Sequence, residues 1–538
     1  DLNLDRQVHM VVLRSPHAHA EITAMDSAGA AAMAGVAAVL TGVDADGDGL
    51  GDIAGGDSLK NRDGSDPVTP ARPVIARDRV RYVGEPVAVV VADSLAAARD
   101  AAEQIVVDYA PRAAVATIAA ATAAGAPLIW DQAPGNVSLD WEAGDSAATD
   151  HAFASAAHVT EIELVSNRVM PFPMEPATAM GEFDAVASRY TLHAPTQGVH
   201  GVRDHMARVL GAAVRVVTPQ VGGAFGMRGT AAVEQALVLW AAKRVGRPVK
   251  WVAERGEAIL SDLAARDHLT DAALALDGDG RMLAIRVDNR ANIGAYITPY
   301  ARNVPTVGYA AALSGTYDLP AFHLRSRVVF TNTIMTHAYR GAGRPEGIYI
   351  TERLVDKAAA ELGMAAAALR RRNLVPATAM PYVTVTGETY DSGDFTKNLD
   401  DAAALARLEW AGARRDQARR AGKRYGVGLS SYVKINGGTP REAARIAFDA
   451  PRDGGDPTIT LYIGTQENGQ GHRTTYAQII AEELGLPISA IRMVQGDTDA
   501  VASGHGTGGS SAISVGGVAT MQSARKIVEA GMAFAGEL

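Results

Sequence analysis

Ile459-Thr-Leu-Tyr-Ile-Gly-Thr-Gln-Glu-Asn-Gly-Gln-Gly471 reads as a strand, Ile459 to Ile463, that enters a glycine turn, with a helix from about Tyr476 to Leu484 behind it. Apolar and β-branched residues make the strand, and the glycines supply turn positions of positive φ. Strand, glycine turn and helix in that order aim backbone amides at an anion. Three more segments share this chemistry: Val221-Gly-Gly-Ala-Phe-Gly-Met-Arg228, Ala338-Tyr-Arg-Gly-Ala-Gly-Arg-Pro-Glu346 and Gly504-His-Gly-Thr-Gly-Gly-Ser-Ser511. One glycine cluster alone is turn material. Four of them, interleaved with Gln, Ser, Thr and Arg, point to N–H groups presented together to one large anionic cofactor.

Outward from these segments, strand-like and helix-like runs alternate, which predicts a mixed α/β fold. Val8 to Leu13 reads as a strand, Ser27 to Ala34 as a helix, and Gly84 to Ala92 as a buried strand entered through a turn. Ser94 is placed to cap a helix through Glu103, and the strand Ile105 to Tyr109 follows. Ala113 to Gly125, mostly Ala and Thr, reads as a linker. Beyond it, the strands Val214 to Thr218 and Leu283 to Val287 alternate with helices such as Ala231 to Val245, whose spacing fits one buried face. Ala411 to Lys423 is an Arg-rich break before a strand expected over Tyr425 to Tyr432.

The chain has 538 residues, a net charge of −9 and no cysteine. That length exceeds one hydrophobic core, so several domains are expected. The acidic balance gives no field for nucleic acid. Without cysteine the chain itself can form no disulfide, thiolate zinc site or iron–sulfur cluster. No stretch has membrane-spanning length and apolarity, and the start carries no signal-peptide pattern, so a cytoplasmic enzyme is expected, with the periplasm left open because the first residue is not Met.

The segments Arg14-Ser-Pro-His-Ala-His-Ala20, Val83-Gly-Glu-Pro-Val-Ala88, Thr196-Gln197, Gly222-Gly-Ala-Phe-Gly226, Ala338-Tyr-Arg-Gly341, Gly464-Thr-Gln-Glu-Asn-Gly-Gln-Gly471 and Gly496-Asp-Thr-Asp499 resemble the large, molybdopterin-binding subunit of the xanthine oxidase family of molybdenum hydroxylases. The resemblance implies a hammerhead-like α/β domain over residues 1–115, a linker over 116–149, a first molybdopterin-binding domain over 150–410 and the start of a second over 411–538. It implies a molybdenum pyranopterin, with the cytosine dinucleotide form left open. Gln197, Phe225 and Arg340 then stand at the reacting centre. Gln197, Gly223, Ala224, Phe225, Gly226, Arg340, Gly469 and Gln470 contact the cofactor, and Gly509, Ser510, Ser511 and Ala512 take its phosphate end. The metal arrives with the cofactor, and no protein ligand to it is expected. Electrons from an aldehyde or N-heteroaromatic substrate, oxidised with water as the oxygen source, leave to partner subunits bearing 2Fe-2S clusters and FAD.

Two departures from the family pattern stand out. The family's catalytic glutamate lies in a Gly-x-Gly-Glu segment well beyond Leu538, so a separate or further C-terminal polypeptide is expected to bring the base; Glu537 lies too early to be it. Copper-containing carbon monoxide dehydrogenases carry a cysteine where Gly341 stands, which disfavours that chemistry. An aromatic wall that purine-oxidising relatives place at Ala342 is absent. A cofactor-holding scaffold that needs a second chain is the alternative. A dinucleotide site is weak, because Glu346 stands where its third glycine would be. Bland readings cover the rest: His17 and His19 on one strand face as structural, His193, His200 and His205 without a metal-binding pair, Asp497 and Asp499 as a turn, and Glu175 as a buried structural carboxylate.

Overall fold

The computed structural model describes residues 2–437, 441–449 and 458–537. A seven-stranded sheet runs in the order Ala213–Val217, Arg189–His193, Thr178–Asp184, Val249–Val252, Val8–Arg14, Pro86–Ala92, Val36–Thr41. Val8–Arg14 pairs antiparallel with Pro86–Ala92 and parallel with Val249–Val252, so strands from the first ninety residues and from 178–252 share one sheet. Every residue of Pro86–Ala92 is buried, as expected of an uninterrupted apolar strand covered on both faces. Ser94 caps the following helix, Leu95–Ala102, by accepting the Ala97 N–H.

Helix Val233–Val245 crosses this sheet. Its residues Val233 to Ala242 are all buried, so its first ten residues have no solvent face where one buried side was expected, and only the last turn, with Lys243 and Arg244, reaches solvent. A helix that is apolar all round belongs inside. It approaches closely enough that a Cβ on Gly181 would stand 2.6 Å from Val238 O.

A five-stranded sheet follows, in the order Val137–Gly144, Ala321–Phe330, Met282–Gly294, His268–Leu276, His158–Ser166. Leu274, Ile285 and Leu324 pack there against Leu354 and Val355 of helix Arg344–Glu361. A three-stranded sheet, Ala444–Asp449, Thr458–Ile463, Ile491–Val494, carries helices His472–Leu484 and Val518–Glu537 over a small core of Leu461, Ile463, Tyr476 and Ile480. This last unit is sewn to the edge strand Ala213–Val217: Arg215 donates to Asp497 at 3.0 and 2.6 Å, and Thr498 accepts the Val216 N–H.

Several local expectations are corrected. Tyr425 to Tyr432 forms no strand; buried side chains take the backbone groups a ladder would use, Arg370 donating to Leu429 O at 2.9 Å and Glu352 accepting the Ser431 N–H at 2.9 Å. Ala411–Arg420 is a helix rather than a break, because Ala, Arg and Gln all favour helix. His17 and His19 lie between the strands Val8–Arg14 and Ala20–Asp26, not on one. His19 Nδ1 donates to Ala113 O at 2.9 Å, and the His17 ring lies tilted against Tyr109. In the Ala/Thr-rich stretch, Val115, Ile118 and Ala121 are buried against the core and Ile118–Ala121 is a helical turn.

Candidate active site

Gln197 is the junction of the site. It leaves the strand Arg189–His193 and precedes helix Val199–Leu210, and it is 9% exposed. Its side-chain Oε1 accepts the Gly226 N–H at 2.8 Å, and its Nε2 donates to Thr507 O at 2.8 Å. Its own N–H donates to Arg228 O, and its carbonyl accepts the Thr507 N–H. The first and fourth glycine segments are therefore clamped on opposite sides of one residue. A carboxamide has two N–H donors, so one remains for a ligand.

The glycines permit these approaches. Gly226 has φ +117°, and a Cβ there would stand 2.1 Å from Ala338 O. That closeness lets the Arg340 N–H reach Phe225 O at 2.9 Å, joining the first segment to the second. Phe225 itself has φ +58° and is 45% exposed, so a strained backbone presents an aromatic ring to the open side. Gly464 and Gly504 meet backbone to backbone, where a Cβ on Gly464 would lie 2.3 Å from Gly504 Cα. Thr507 Oγ1 accepts the Gln466 N–H and donates to Gln466 O, and Asn468 Nδ2 donates to Thr196 O at 3.1 Å. All four segments thus converge around Thr196-Gln197.

The remaining expected residues distribute along this cleft. Gly223, with φ +100°, lies against the Phe225 ring, and Ala224 is buried beneath it. The Arg340 side chain is exposed. Gly469, with φ +109°, faces open space, while Gln470 accepts from the Asn468 N–H. Ser510 has φ +62°, and Ser511 immediately precedes the helical turn Ala512–Gly517, which runs into helix Val518–Glu537. No described residue accepts the N–H groups of Gly508, Gly509 or Ser510.

Two cations, Lys434 and Arg344, stand at this end, and the first carried no sequence signal. Lys434 Nζ contacts Ser510 Oγ, and burial, with the neighbouring Arg344 second, holds its ammonium below the usual range. Lys434 lies just past the stretch expected to be a strand, whereas Arg344 belongs to the Ala338–Glu346 segment, whose arginines were read with the anion site. Asn468 and Thr507, which knit the segments, were likewise hidden in the motifs. Glu175 pairs with Arg228 at 2.8 Å and accepts the Gly222 N–H at 2.6 Å. Asp497 and Asp499 are engaged by Arg215 and Arg189, with the Asp499 N–H closing an Asx turn on Asp497. His193 faces Glu182 and His205 faces Gly201 O.

The donor set fits a pyranopterin. Free backbone N–H groups, a helix start and two cations suit its phosphate end. The buried Gln466 Oε1 and Asn468 Oδ1 have no protein donor, which suits the N–H edge of a pterin ring. The bare faces of Gly469 and Gly508, with nothing within 4 Å, leave room for a ligand.

Comparison with known proteins agrees with this geometry. Residues 1–113 match the aldehyde oxidase and xanthine dehydrogenase a/b hammerhead domain, and residues 129–374 and 403–538 match molybdopterin cofactor-binding domains. The carbon monoxide dehydrogenase large chain of Hydrogenophaga pseudoflava is 33% identical over 98% of this chain and 68% of its own length. The nicotine 6-hydroxylase large subunit of Paenarthrobacter nicotinovorans is 32% identical over 96% and 64%. Quinoline 2-oxidoreductase from Pseudomonas putida 86 superposes with a TM-score of 0.90 at 32% identity, over 98% of this chain and 67% of that one. The chain spans about two thirds of the length of these relatives. With its glycine segments drawn together on Gln197 and its sequence matched from end to end, the chain belongs to the molybdopterin-binding large subunits of the xanthine oxidase family.

Proposed function

We propose that this chain is the molybdenum-bearing subunit of a hydroxylase that oxidises an N-heteroaromatic compound or an aldehyde, with water as the oxygen source. The observation that carries this reading is the clamp of Gln197 between the Phe225 turn and the Thr507 loop. When bound, the pyranopterin supplies a two-electron redox centre at which water can be activated. The remaining Gln197 N–H points a donor from a fixed, nearly buried carboxamide. The exposed Phe225 ring offers an apolar face to a planar substrate. Lys434, Arg344 and the amides of Gly508 to Ser510 hold the phosphate end, with the backbone at Ser511 and Ala512 beside them. Two cations suit a pyrophosphate better than a single phosphate, which supports the cytosine dinucleotide form.

The chain has no cysteine to hold an iron–sulfur cluster, and the relatives named above are a large chain and a large subunit. Partner subunits with 2Fe-2S clusters and FAD belong to the proposal, as does residence in the cytoplasm. Among the described residues no helix is long and apolar enough to cross a membrane. The catalytic base is assigned to a glutamate on polypeptide outside residues 1–538, whether in the same or a separate chain. Exposed Phe448, Met532 and Phe534 offer such a segment an apolar seat.

A copper-dependent reading is disfavoured by geometry as well as composition. Gly341 has φ +103°, and a Cβ there would stand 2.4 Å from the Pro345 ring, so no side chain fits at that position. Metal and pterin analysis of the complex purified with its natural partners tests the proposal, alongside dye-linked oxidation of N-heteroaromatics, aldehydes and carbon monoxide. Stoichiometric molybdenum and turnover of the first two classes are expected. Full loading with NAD or FMN and no molybdenum overturns the reading.

A further inference from the structure

Behind the Phe225 turn lies a cavity of about 60 Å³, enclosed chiefly by Arg72, Thr178, Arg228, Thr230, Glu234 and Asp262. Arg72 is 6% exposed, yet its guanidinium makes no hydrogen bond or ion pair with any described residue. Arg228, 7% exposed, spends Nη1 and Nη2 on Glu175 and Pro176 but leaves Nε without a partner. Thr230 Oγ1 is buried and unpartnered as well. Asp262, 8% exposed, makes no side-chain hydrogen bond with the described residues. Donors without acceptors and a carboxylate without donors therefore line one void. Leaving such groups dry is costly.

Volume and charge decide what fills it. A water occupies about 30 Å³ of liquid, so the cavity holds about two. The charged groups around it are the cations Arg14, Arg72, Arg228 and Arg255 and the carboxylates Glu175, Glu234, Glu257 and Asp262. Four cations and four carboxylates balance, so no excess charge attracts an ion.

We propose that two ordered waters occupy this cavity, linking Arg72, Arg228 Nε and Thr230 Oγ1 to Asp262, and that Arg228 so held is the positioning residue of the Phe225 turn. Arg228 ties both ends of that turn. Its guanidinium holds Glu175, whose Oε2 takes the Gly222 N–H, and its own carbonyl accepts the Gln197 N–H at 2.9 Å. A shift of Arg228 therefore moves Phe225 and Gln197 together. The positioning role rests on the hydroxylase reading; the water site does not.

Crystals of the complete purified enzyme, diffracting well enough to show ordered water, test the first half. Two peaks bridging Arg72, Arg228 Nε, Thr230 Oγ1 and Asp262 are expected, and none that becomes anomalous after a bromide soak. A dry cavity or a bromide peak overturns the water site. Steady-state kinetics test the second half. Arg228→Met is expected to lower kcat by about tenfold or more with KM within about threefold, and Arg228→Lys, which keeps the contact to Glu175, to recover much of that loss. Thr230→Val, nearly isosteric and away from Glu175, is expected to lose one water and reduce kcat severalfold, which keeps the test open should Arg228→Met not fold. Unchanged kcat in Thr230→Val, or lowered thermal stability alone in Arg228→Met, overturns the positioning role. A wild-type enzyme that turns over no substrate of the proposed classes sinks the hydroxylase reading instead and leaves the crystallographic result standing.

Discussion

Replacing Gly226 by alanine tests whether the two backbone turns must touch for the cofactor to be held. A Cβ at Gly226 stands 2.1 Å from Ala338 O and 3.2 Å from Tyr339 Cα, and both near atoms are backbone. Relief requires the turns to part by roughly 1 Å, since dispersion contacts become repulsive well before such a distance. The Arg340 N–H to Phe225 O bond, now 2.9 Å, does not survive that movement. Strain from φ +117° adds about 1–3 kcal/mol and the lost hydrogen bond about 1 kcal/mol, so a destabilisation of about 2–4 kcal/mol is expected. Gly469→Ala is the matched control for unfolding of the cofactor-free protein alone, since its Cβ would enter the space left for the cofactor: its φ of +109° is as unfavourable, but no protein atom stands within 4 Å of its Cβ. It should show the backbone strain without the separation of the turns. The assays are thermal unfolding and molybdenum per chain. Gly226→Ala should melt lower than Gly469→Ala and lose most of its metal. Wild-type melting and loading in Gly226→Ala, or equal melting of the two cofactor-free variants, would refute the argument that backbone contact between these turns builds the site.

Other consequences are equally open to measurement. Burial, reinforced by Glu234 and opposed by Arg228, pushes the Asp262 carboxyl up to about 6. The folded protein then holds this proton more tightly than the unfolded chain between about pH 4 and 6, so stability falls as pH rises through that window, by at most about 3 kcal/mol. Asp262→Asn should raise the melting temperature at pH 7.5 and leave it unchanged near pH 4; a loss at pH 7.5 would mean that the neighbouring arginines outweigh desolvation. Glu352 accepts from Arg370 at 3.0 and 2.8 Å, from Tyr317 and from the Ser431 N–H. Glu352→Ala leaves the buried Arg370 with Asp356, at 2.8 Å, as its remaining carboxylate and removes the acceptor of Tyr317 and of the Ser431 N–H, and should cost about 2–4 kcal/mol in urea unfolding; a change within error would show the network to be dispensable. Lys434→Met should reduce cofactor content while leaving the melting temperature of the cofactor-free protein unaltered, and full molybdenum loading in this variant would remove Lys434 from the phosphate end.

Much of the backbone geometry at the candidate site was legible in the sequence because its signals are local. Glycines at Gly223, Gly226, Gly341 and Gly469 announce backbone with positive φ wherever they occur. Ser94 announced its helix by cap chemistry, and Pro86 to Ala92 announced a fully buried strand by composition. The order of the four segments sufficed to suggest the cofactor family. Local propensity misled where a distant side chain competed for the backbone, as Glu352 and Arg370 do at Leu429 and Ser431. It misled again where a helix lies inside on every face but its last turn, since the spacing of Val233–Val245 cannot say how many of its faces meet protein.

Only the tertiary structure decided which segments touch. Gln197 reaches Thr507 across 310 positions of sequence, and Val8 lies beside Val249 in one sheet. The cations Lys434 and Arg344, and the void that leaves Arg72 and Asp262 without partners, exist only once distant elements pack. The physical reason is range. Turn geometry, capping and apolar runs are set within a few residues, so the sequence alone determined four glycine turns whose positive φ and polar neighbours suit a large anionic cofactor. Hydrogen bonds and burial between residues hundreds apart depend on the closed fold, and these settled how Gln197 is clamped and what stands behind it.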